Sequence, residues 1–455
     1  MSVMSSYPSY ETYEQMMLDF TTDYPELCQL VSLGTLQSGR KILAIQIGEK
    51  VEQQNERPNF LYTSTMHGDE LAGFPTMLML IDHLLCNYDQ DPQITALINQ
   101  VNIFINPLAN PNGTYRGGNE SVVESIRFNA SFVDLNRNFP DPKVGENPDG
   151  NVYQVETEMF IDFAKNYNIN LSCNIHSGAE LINYPWDTFE HLHADDEWWQ
   201  YVSREYVDTV HHHAESGYME EANNGISNGF EWYEIQGGRQ DYMTFFERGR
   251  EFTLEISSVK KLNSDQLPEI WTANKSALIN YIEEARFGLT GHVVDCLTKE
   301  PLEAEIIIQD HDIDNASVFS NPTDGRYYRY LKSGDYTVQY IATAYDTVIA
   351  NISIADKKQT VQEIELCPMM VSAADLPDIL ESDFEQRGSK LFINPSLITR
   401  NLSIQISSMA GQQVLNKPLQ SSIIELEGMP TSGIYLISIL NDFDIKTIKF
   451  FISAQ

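Results

Sequence analysis

His67 and Glu70 stand three residues apart in TSTMHGDELAGFPTM, residues 63–77, directly after the apolar stretch NFLYTST. An imidazole and a carboxylate presented together where a strand ends are two of the three protein ligands that a catalytic zinc takes, the fourth position being left to water. The pair alone decides little, because a polar loop entering a helix needs no metal. A third ligand belongs at the end of another strand, and INLSCNIHSGAE puts His176 there. The plainer reading of that histidine is a hydrogen-bonded residue at a strand terminus. The other histidines fit a site less well. His83 falls mid-helix, His191 and His193 fall in a polar loop, and His211, His212 and His213 form a run on an exposed helix face.

SIRFNASFVDLNRNFPD adds Arg127, Asn136 and Arg137. A guanidinium fork matches a carboxylate with two parallel hydrogen bonds, and a second arginine near a metal can stabilise an oxyanion. Alternatively, these are surface arginines paired with local acids such as Asp134 and Asp141. NGFEWYEIQGGRQDY offers Tyr233 ahead of a Gly-Gly turn, and REFTLEIS offers Glu255 in an otherwise apolar, β-branched strand. A carboxylate there is either an edge-strand acid facing water or a buried group with a task.

The elements that must position these residues alternate. KILAIQIG, NFLYTST, QVNIFINP, INLSCNIHS and REFTLEIS read as strands, short and β-rich between turn signals. GFPTMLMLIDHLLCNY, QVETEMFIDFAKNY and TANKSALINYIEEAR have helical periodicity. Alternation of this kind predicts an α/β sheet with helices on both faces over residues 1–287, with functional residues at strand ends. From Gly288 the pattern becomes short strands split by Gly, Asp and Pro turns, predicting an all-β sandwich over 288–368. Residues 369–390 read as a linker, and 391–455 as a small β domain. Cys296 and Cys367 bracket the sandwich and are candidates to pair.

The chain of 455 residues is long enough for several domains, and its formal charge of −36 argues against nucleic acid, whose phosphates would repel it. No apolar stretch approaches the ~20 residues of a membrane span, and the N-terminus lacks the basic and apolar regions of a signal peptide.

Taken together, HGDE, RFNASFVDLNRNFPD, NIHSGAELINYPWD, NGISNGFEWYEIQGGRQDY and FTLEIS resemble the zinc metallocarboxypeptidases, and within them the branch of carboxypeptidases N, E, D and M. The resemblance covers the first 286 residues. It implies a mixed-sheet α/β domain with one Zn²⁺ per chain held by His67, Glu70 and His176. It implies Glu255 as general base and Arg127 as oxyanion stabiliser. Asn136 and Arg137 would then clamp the substrate's C-terminal carboxylate, and Tyr233 would supply a substrate-side hydroxyl. Tyr242 is the rival tyrosine. The branch carries an acid in its YP.D loop and a Gln in GG.QDY, which fall here on Asp187 and Gln240 and imply substrates ending in Lys or Arg. One departure is Arg239, where the branch usually has Met. Turned into the pocket it would neutralise Asp187; turned away, it changes nothing. The second is expected, since adjacent residues face opposite ways.

Residues 288–368 resemble the transthyretin-like sandwich of the same branch. Residues 391–455, through INP, GQQV and SGIYLISI, resemble the C-terminal sorting domain of the Bacteroidetes type IX secretion pathway. The implied partners are peptide or protein C-termini and secretion machinery, the implied location is secreted or cell-surface, and a monomer is expected. Two alternatives stand beside this reading: a peptidase of peptidoglycan stem peptides, and a non-catalytic peptide binder using the same cleft.

Overall fold

An eight-stranded mixed sheet organises the N-terminal part of the computed structural model, which describes residues 4–51, 57–146, 148–369, 379–398, 402–409, 411–426, 432–440 and 445–453. Its strands are β1 (Cys28–Thr35), β2 (Lys41–Ile47), β3 (Asn59–Ser64), β4 (Asn102–Asn106), β5 (Leu171–His176), β6 (Ala179–Tyr184), β7 (Ile226–Asn228) and β8 (Arg250–Ser257). The order across the sheet is β1-β2-β4-β3-β5-β8-β6-β7. The centre, β4, β3, β5 and β8, is parallel. β2 joins β4, and β6 joins β8, antiparallel.

The longer helices are α1 (Tyr10–Asp23), α2 (Gly73–Asn87), α3 (Pro92–Gln100), α4 (Val155–Tyr167), α5 (Asp196–His213), α6 (Arg239–Phe245) and α7 (Leu267–Glu284). α3 shows how local sequence sets a boundary. Asp91 accepts from the backbone of Gln93 and Ile94, and Pro92 takes the first turn, where no N–H is needed.

The two faces of the sheet differ. On one, Phe60, Tyr62, Leu171, Cys173, Ile175, Phe252, Leu254 and Ile256 join α1, α2, α3, α5 and α7 in a large apolar core. On the other, α4 and α6 pack with Leu61 and Phe104. There the central strands carry Ser172, Asn174 and His176 on β5, and Glu251, Thr253 and Glu255 on β8, all buried. Side chains alternate along a strand, so these residues share one polar stripe. The stripe ends at the carboxyl edge of the sheet, where His176 pairs in register with Glu255.

Beyond Gly288, the strands between residues 288 and 366 form two further sheets. Cys296 and Cys367 are disulfide-bonded, with Cα atoms 5.1 Å apart. One compact unit runs through Val293 and takes in Pro301–Tyr340 and Ile349–Ile364; a second comprises Val294–Glu300, Ile341–Val348 and the chain from Glu365 onward. The boundary expected at Gly288 falls inside the first of these units. Arg329 reaches back and pairs, fully buried, with Asp195 of the α/β body.

The segment 369–390, expected as a linker, carries a strand near its end. Phe384–Arg387 is a strand paired with Lys390–Ile393, and Phe384 is buried in the apolar core of the C-terminal region. Residues 370–378 lie outside the described residues. Among the described residues, no helix is long and apolar enough to cross a membrane.

Candidate active site

Three parallel strands deliver the site. The chain leaves β3 through Thr65, which holds a left-handed φ of 62°. That backbone is costly for a β-branched residue and occurs where the surroundings enforce it. Gly68 follows, and a Cβ there would lie 2.4 Å from the Gly113 carbonyl carbon, so only glycine lets the turn seat. Gly68 N–H donates to Arg127 O at 3.1 Å, which brings the arginine segment beside His67.

His67, Glu70 and His176 are buried, and their ligand atoms lie within 4.8 Å of one another. His67 Nδ1 is 3.0 Å from Glu70 Oε1, His176 Nδ1 is 2.8 Å from Glu70 Oε2, and the two Nδ1 atoms are 3.1 Å apart. Two imidazoles aiming the same nitrogen at a carboxylate is a donor set that fits zinc. The outer nitrogens are held as well. His67 Nε2 lies 3.0 Å from Asp134 Oδ1, and His176 Nε2 lies 2.8 Å from the Asn174 amide. An acceptor on the outer nitrogen fixes the tautomer that leaves Nδ1 free for metal. Asp134 plays that part for His67; at His176 it is the Asn174 Nδ2 that faces Nε2, while the Asn174 oxygen accepts from Thr63 Oγ1 at 3.2 Å.

Arg127 lies across this centre. Its Nη1 donates to His67 Nδ1 at 3.0 Å and to Glu70 Oε1 at 3.2 Å, and its Nε donates to Asp134 Oδ2 at 2.9 Å. Arg127 thus pairs with a local acid and also lies against the His67 and Glu70 side chains. Lys260 Nζ donates to Glu70 Oε1 at 2.8 Å.

Glu255 sits on an interior strand, which removes the edge-strand alternative. Its Oε2 is buried and has no hydrogen-bond partner among the described residues. Burial pushes its carboxyl up to about 8, helped by the charge of Glu70 and opposed by His67, Lys260 and Arg127. An acid poised near neutrality beside a metal site can exchange a proton with water.

Asn136 and Arg137 occupy a single helical turn, Leu135–Arg137, capped by Asp134, which accepts from Asn136 N–H at 3.0 Å. Asn136 Oδ1 accepts from Arg239 N–H at 2.9 Å. Tyr233 is 45% exposed, and burial raises its phenol while neighbouring Arg137 draws it down. Tyr242, by contrast, is buried against Phe139 and bonded to Glu247.

Asp187 is 1% exposed; its Oδ1 accepts from Asn183 Nδ2 at 2.9 Å and from Gln240 Nε2 at 3.2 Å. A Cβ on Gly229 would fall 2.0 Å from that oxygen, so the glycine lets the backbone lie against the carboxylate. A Cβ on Gly238 would stand 3.5 Å from Asp187 Oδ2 and 3.8 Å from Asn136 Oδ1, so pocket acid and clamp adjoin. Burial pushes Asp187 up to about 7, and Arg137 pulls the other way.

Arg239 turns away from this pocket, as expected, but not through strand alternation: it opens a helix, where neighbouring side chains diverge by about 100°. It does not turn to water: it is 1% exposed and pairs with Glu251 at 2.6 Å. His193, expected in a polar loop, is buried between Trp186 and Trp199. His211, His212 and His213 lie in the last turn of α5, with His212 and His213 exposed. Sequence reasoning missed Asp134, Asn174 and Lys260 as neighbours of the ligands. The signal available was the polar period-two pattern S-x-N-x-H in a strand otherwise apolar.

The zinc carboxypeptidase family model matches residues 13–277. Mouse carboxypeptidase M is 31% identical over 367 residues, spanning 78% of this chain and 82% of the mouse protein. The Arabidopsis thaliana carboxypeptidase SOL1 is 29% identical over 362 residues, spanning 78% of this chain and 71% of that protein. Mouse carboxypeptidase D is 31% identical over 355 residues, 74% of this chain but 25% of the relative. Among solved structures, thrombin activatable fibrinolysis inhibitor (TM-score 0.54, 17% identity, 62% of this chain and 75% of that one) shares the fold. So does carboxypeptidase A from Helicoverpa armigera (TM-score 0.52, 20% identity, 62% and 74%). The chain belongs to the zinc carboxypeptidase family. It is a zinc-dependent metallocarboxypeptidase, a hydrolase of peptides acting at their C-termini.

Proposed function

We propose that the enzyme removes C-terminal Lys or Arg, with the ten residues above in the roles their positions suggest. The observation that carries this is the buried Asp187 carboxylate beside the Asn136 clamp. A desolvated acid rewards a cationic side chain and serves an apolar one poorly. Gln240 adds a neutral hydrogen-bond partner on the same oxygen.

His67, Glu70 and His176 would hold the metal. Zinc, when bound, supplies a Lewis acid that lowers the pKa of water from ~15.7 to ~7 and polarises a carbonyl. Asn136 and Arg137 bind the terminal carboxylate and set the register of the chain, so the bond cut is the last one. Glu255 Oε2 takes the proton of the attacking water and delivers it to the leaving amine. Arg127 donates to the oxygen on which negative charge develops. Tyr233, exposed beside Arg137, covers the terminal residue from the solvent side.

We further propose the division 1–287, 288–368, 369–390 and 391–455, with 288–368 a transthyretin-like sandwich. On this reading 391–455 is a type IX sorting domain that directs a secreted, monomeric enzyme. The sheets of 288–366 and the separate apolar core of the C-terminal region support it.

The test is a hydrolysis panel of peptides ending in Arg, Lys, Leu and Glu, with and without chelator. The expected result is cleavage of Arg and Lys ends, abolished by chelation and restored by Zn²⁺. Better cleavage of Leu than Arg ends would overturn the specificity; full activity in metal-free protein would overturn the zinc chemistry.

A further inference from the structure

The polar stripe beneath the site is joined into one chain of contacts, and Arg239 is where its branches meet. Arg239 Nη2 donates to Glu251 Oε2 at 2.6 Å, and Nη1 donates to Thr63 Oγ1 at 2.5 Å. Ser172 Oγ donates to the same Glu251 oxygen at 2.7 Å. Thr63 and Asn174 face each other across β3 and β5, with Thr63 Oγ1 and Asn174 Oδ1 3.2 Å apart. The Asn174 amide then meets His176 Nε2 at 2.8 Å. The route from the Arg239 guanidinium to a metal ligand is thus two side chains long.

In the other direction Arg239 reaches the substrate side through its backbone. Its N–H donates to Asn136 Oδ1, which fixes the face the amide turns to a carboxylate. The next residue, Gln240, donates to Asp187. Arg239 opens α6 directly after Gly237 and Gly238, and Gly237 has a φ of 70°. Two glycines cannot stiffen that entry by themselves. The anchor available is the Arg239 side chain, whose guanidinium carbon lies 5.3 Å from the centre of the Phe160 ring.

We infer that Arg239 is a positioning residue, which through Glu251 and Thr63 holds Asn136 and Gln240 at one end and the ring of His176 at the other. It touches neither substrate nor metal. The inference rests on the reading of the site given above and adds to it a mechanical link between metal centre and clamp. A pair kept only for stability would behave differently, because exchanging a buried ion pair for apolar groups of similar volume is often neutral.

The experiment compares wild type, Arg239→Lys and the paired replacement Arg239→Met/Glu251→Leu, which leaves no charge unpaired. Two quantities are measured: the zinc dissociation constant of the apoprotein by chelator competition, and kcat and KM separately for an Arg-ended peptide. The expected result for the paired replacement is a zinc affinity lower by ~10–100-fold, the range for residues that orient a ligand, together with a KM that rises by a larger factor than kcat falls. Arg239→Lys, which keeps the charge but not the fork, should recover part of both. Unchanged zinc affinity and KM in the folded paired variant would overturn the inference. Should that variant fail to fold, Thr63→Val keeps the ion pair and cuts only the branch to His176. Weaker zinc binding there supports the link, and wild-type zinc binding overturns it. A wild-type protein that bound no zinc would instead refute the reading of the site, independently of Arg239.

Discussion

Two groups of acids and histidines in this chain each bring three possible ligand atoms within 4.8 Å, yet they have opposite characters. One is His67, Glu70 and His176; the other is Asp195, His311 and Asp312. Around the second, arginines saturate the acids. Arg250 donates to Asp195 Oδ2 at 3.0 and 2.7 Å, Arg329 donates to the two Asp195 oxygens at 2.6 and 2.8 Å, and His311 Nε2 lies 2.8 Å from Oδ1. Arg329 and Arg250 hold Asp195 well below the usual carboxylate range despite its burial. Around the first group, Arg127 and Lys260 remain partly exposed, and Glu255 keeps an unpartnered oxygen and a raised pKa. The lesson is that proximity of ligand types does not mark a reactive site. What distinguishes the first is a further acid, Glu255, whose buried oxygen finds no donor among the described residues. The saturated cluster serves to join residues 301–340 to the sheet.

The largest expected effect sharpens this contrast at Glu255. Glu255→Gln keeps the shape but cannot accept a proton, so kcat should fall by ~10²–10⁴-fold with zinc content unchanged. Near wild-type turnover would place the base elsewhere.

The matching substitution in the saturated cluster is Arg329→Leu. It leaves Asp195 and Asp312 short of a buried cation, a change that typically costs ~3–5 kcal/mol. Urea midpoints should drop accordingly, while kcat/KM of the folded protein stays near wild type. A stability within error of wild type would show that this cluster joins nothing.

Asp187→Ala tests the proposed specificity. Losing one partner of a desolvated pair costs ~2–5 kcal/mol, or ~30-fold to several thousand-fold in kcat/KM for Arg-ended peptides. The weak activity on Leu ends should hardly move, and an equal loss on both would count against the role.

The smallest effect is in pH. Burial raises Asp187 from its ordinary 3.8 to about 7, so it is ionised only above neutrality. The kcat/KM ratio of Arg to Leu peptides should therefore rise about tenfold between pH 6 and 8, as the ionised fraction does. For stability the sign is the reverse. An acid with a raised folded pKa binds its proton more tightly when folded, so its contribution falls as pH climbs from ~4 towards 7 and then levels off. A flat ratio would mean that the pocket acid is already charged at pH 6.

The sequence by itself determined where the candidate residues fall along the chain and which strands hold them. His67, Glu70, His176 and Glu255 fall at or near strand ends, and β propensity with turn signals fixes those ends locally. The alternation of strands and helices likewise predicted helices on both faces of a sheet, because periodicity is a property of short segments. Other things were decided only in three dimensions. Arg239 could turn into the pocket or away from it, and Glu251, twelve residues further along, supplied the buried partner that settled the direction. Asp134 looked like an ordinary counter-ion and became the orienter of His67, since only the fold brings residues 67 apart in sequence to 3.0 Å. How the chain on the two sides of Gly288 is joined was decided the same way: Asp195 and Arg329, 134 residues apart, meet in the interior, where an unpaired charge is far too costly to leave alone. Residue type and period are written in the chain; which charges find each other away from water depends on the folded arrangement.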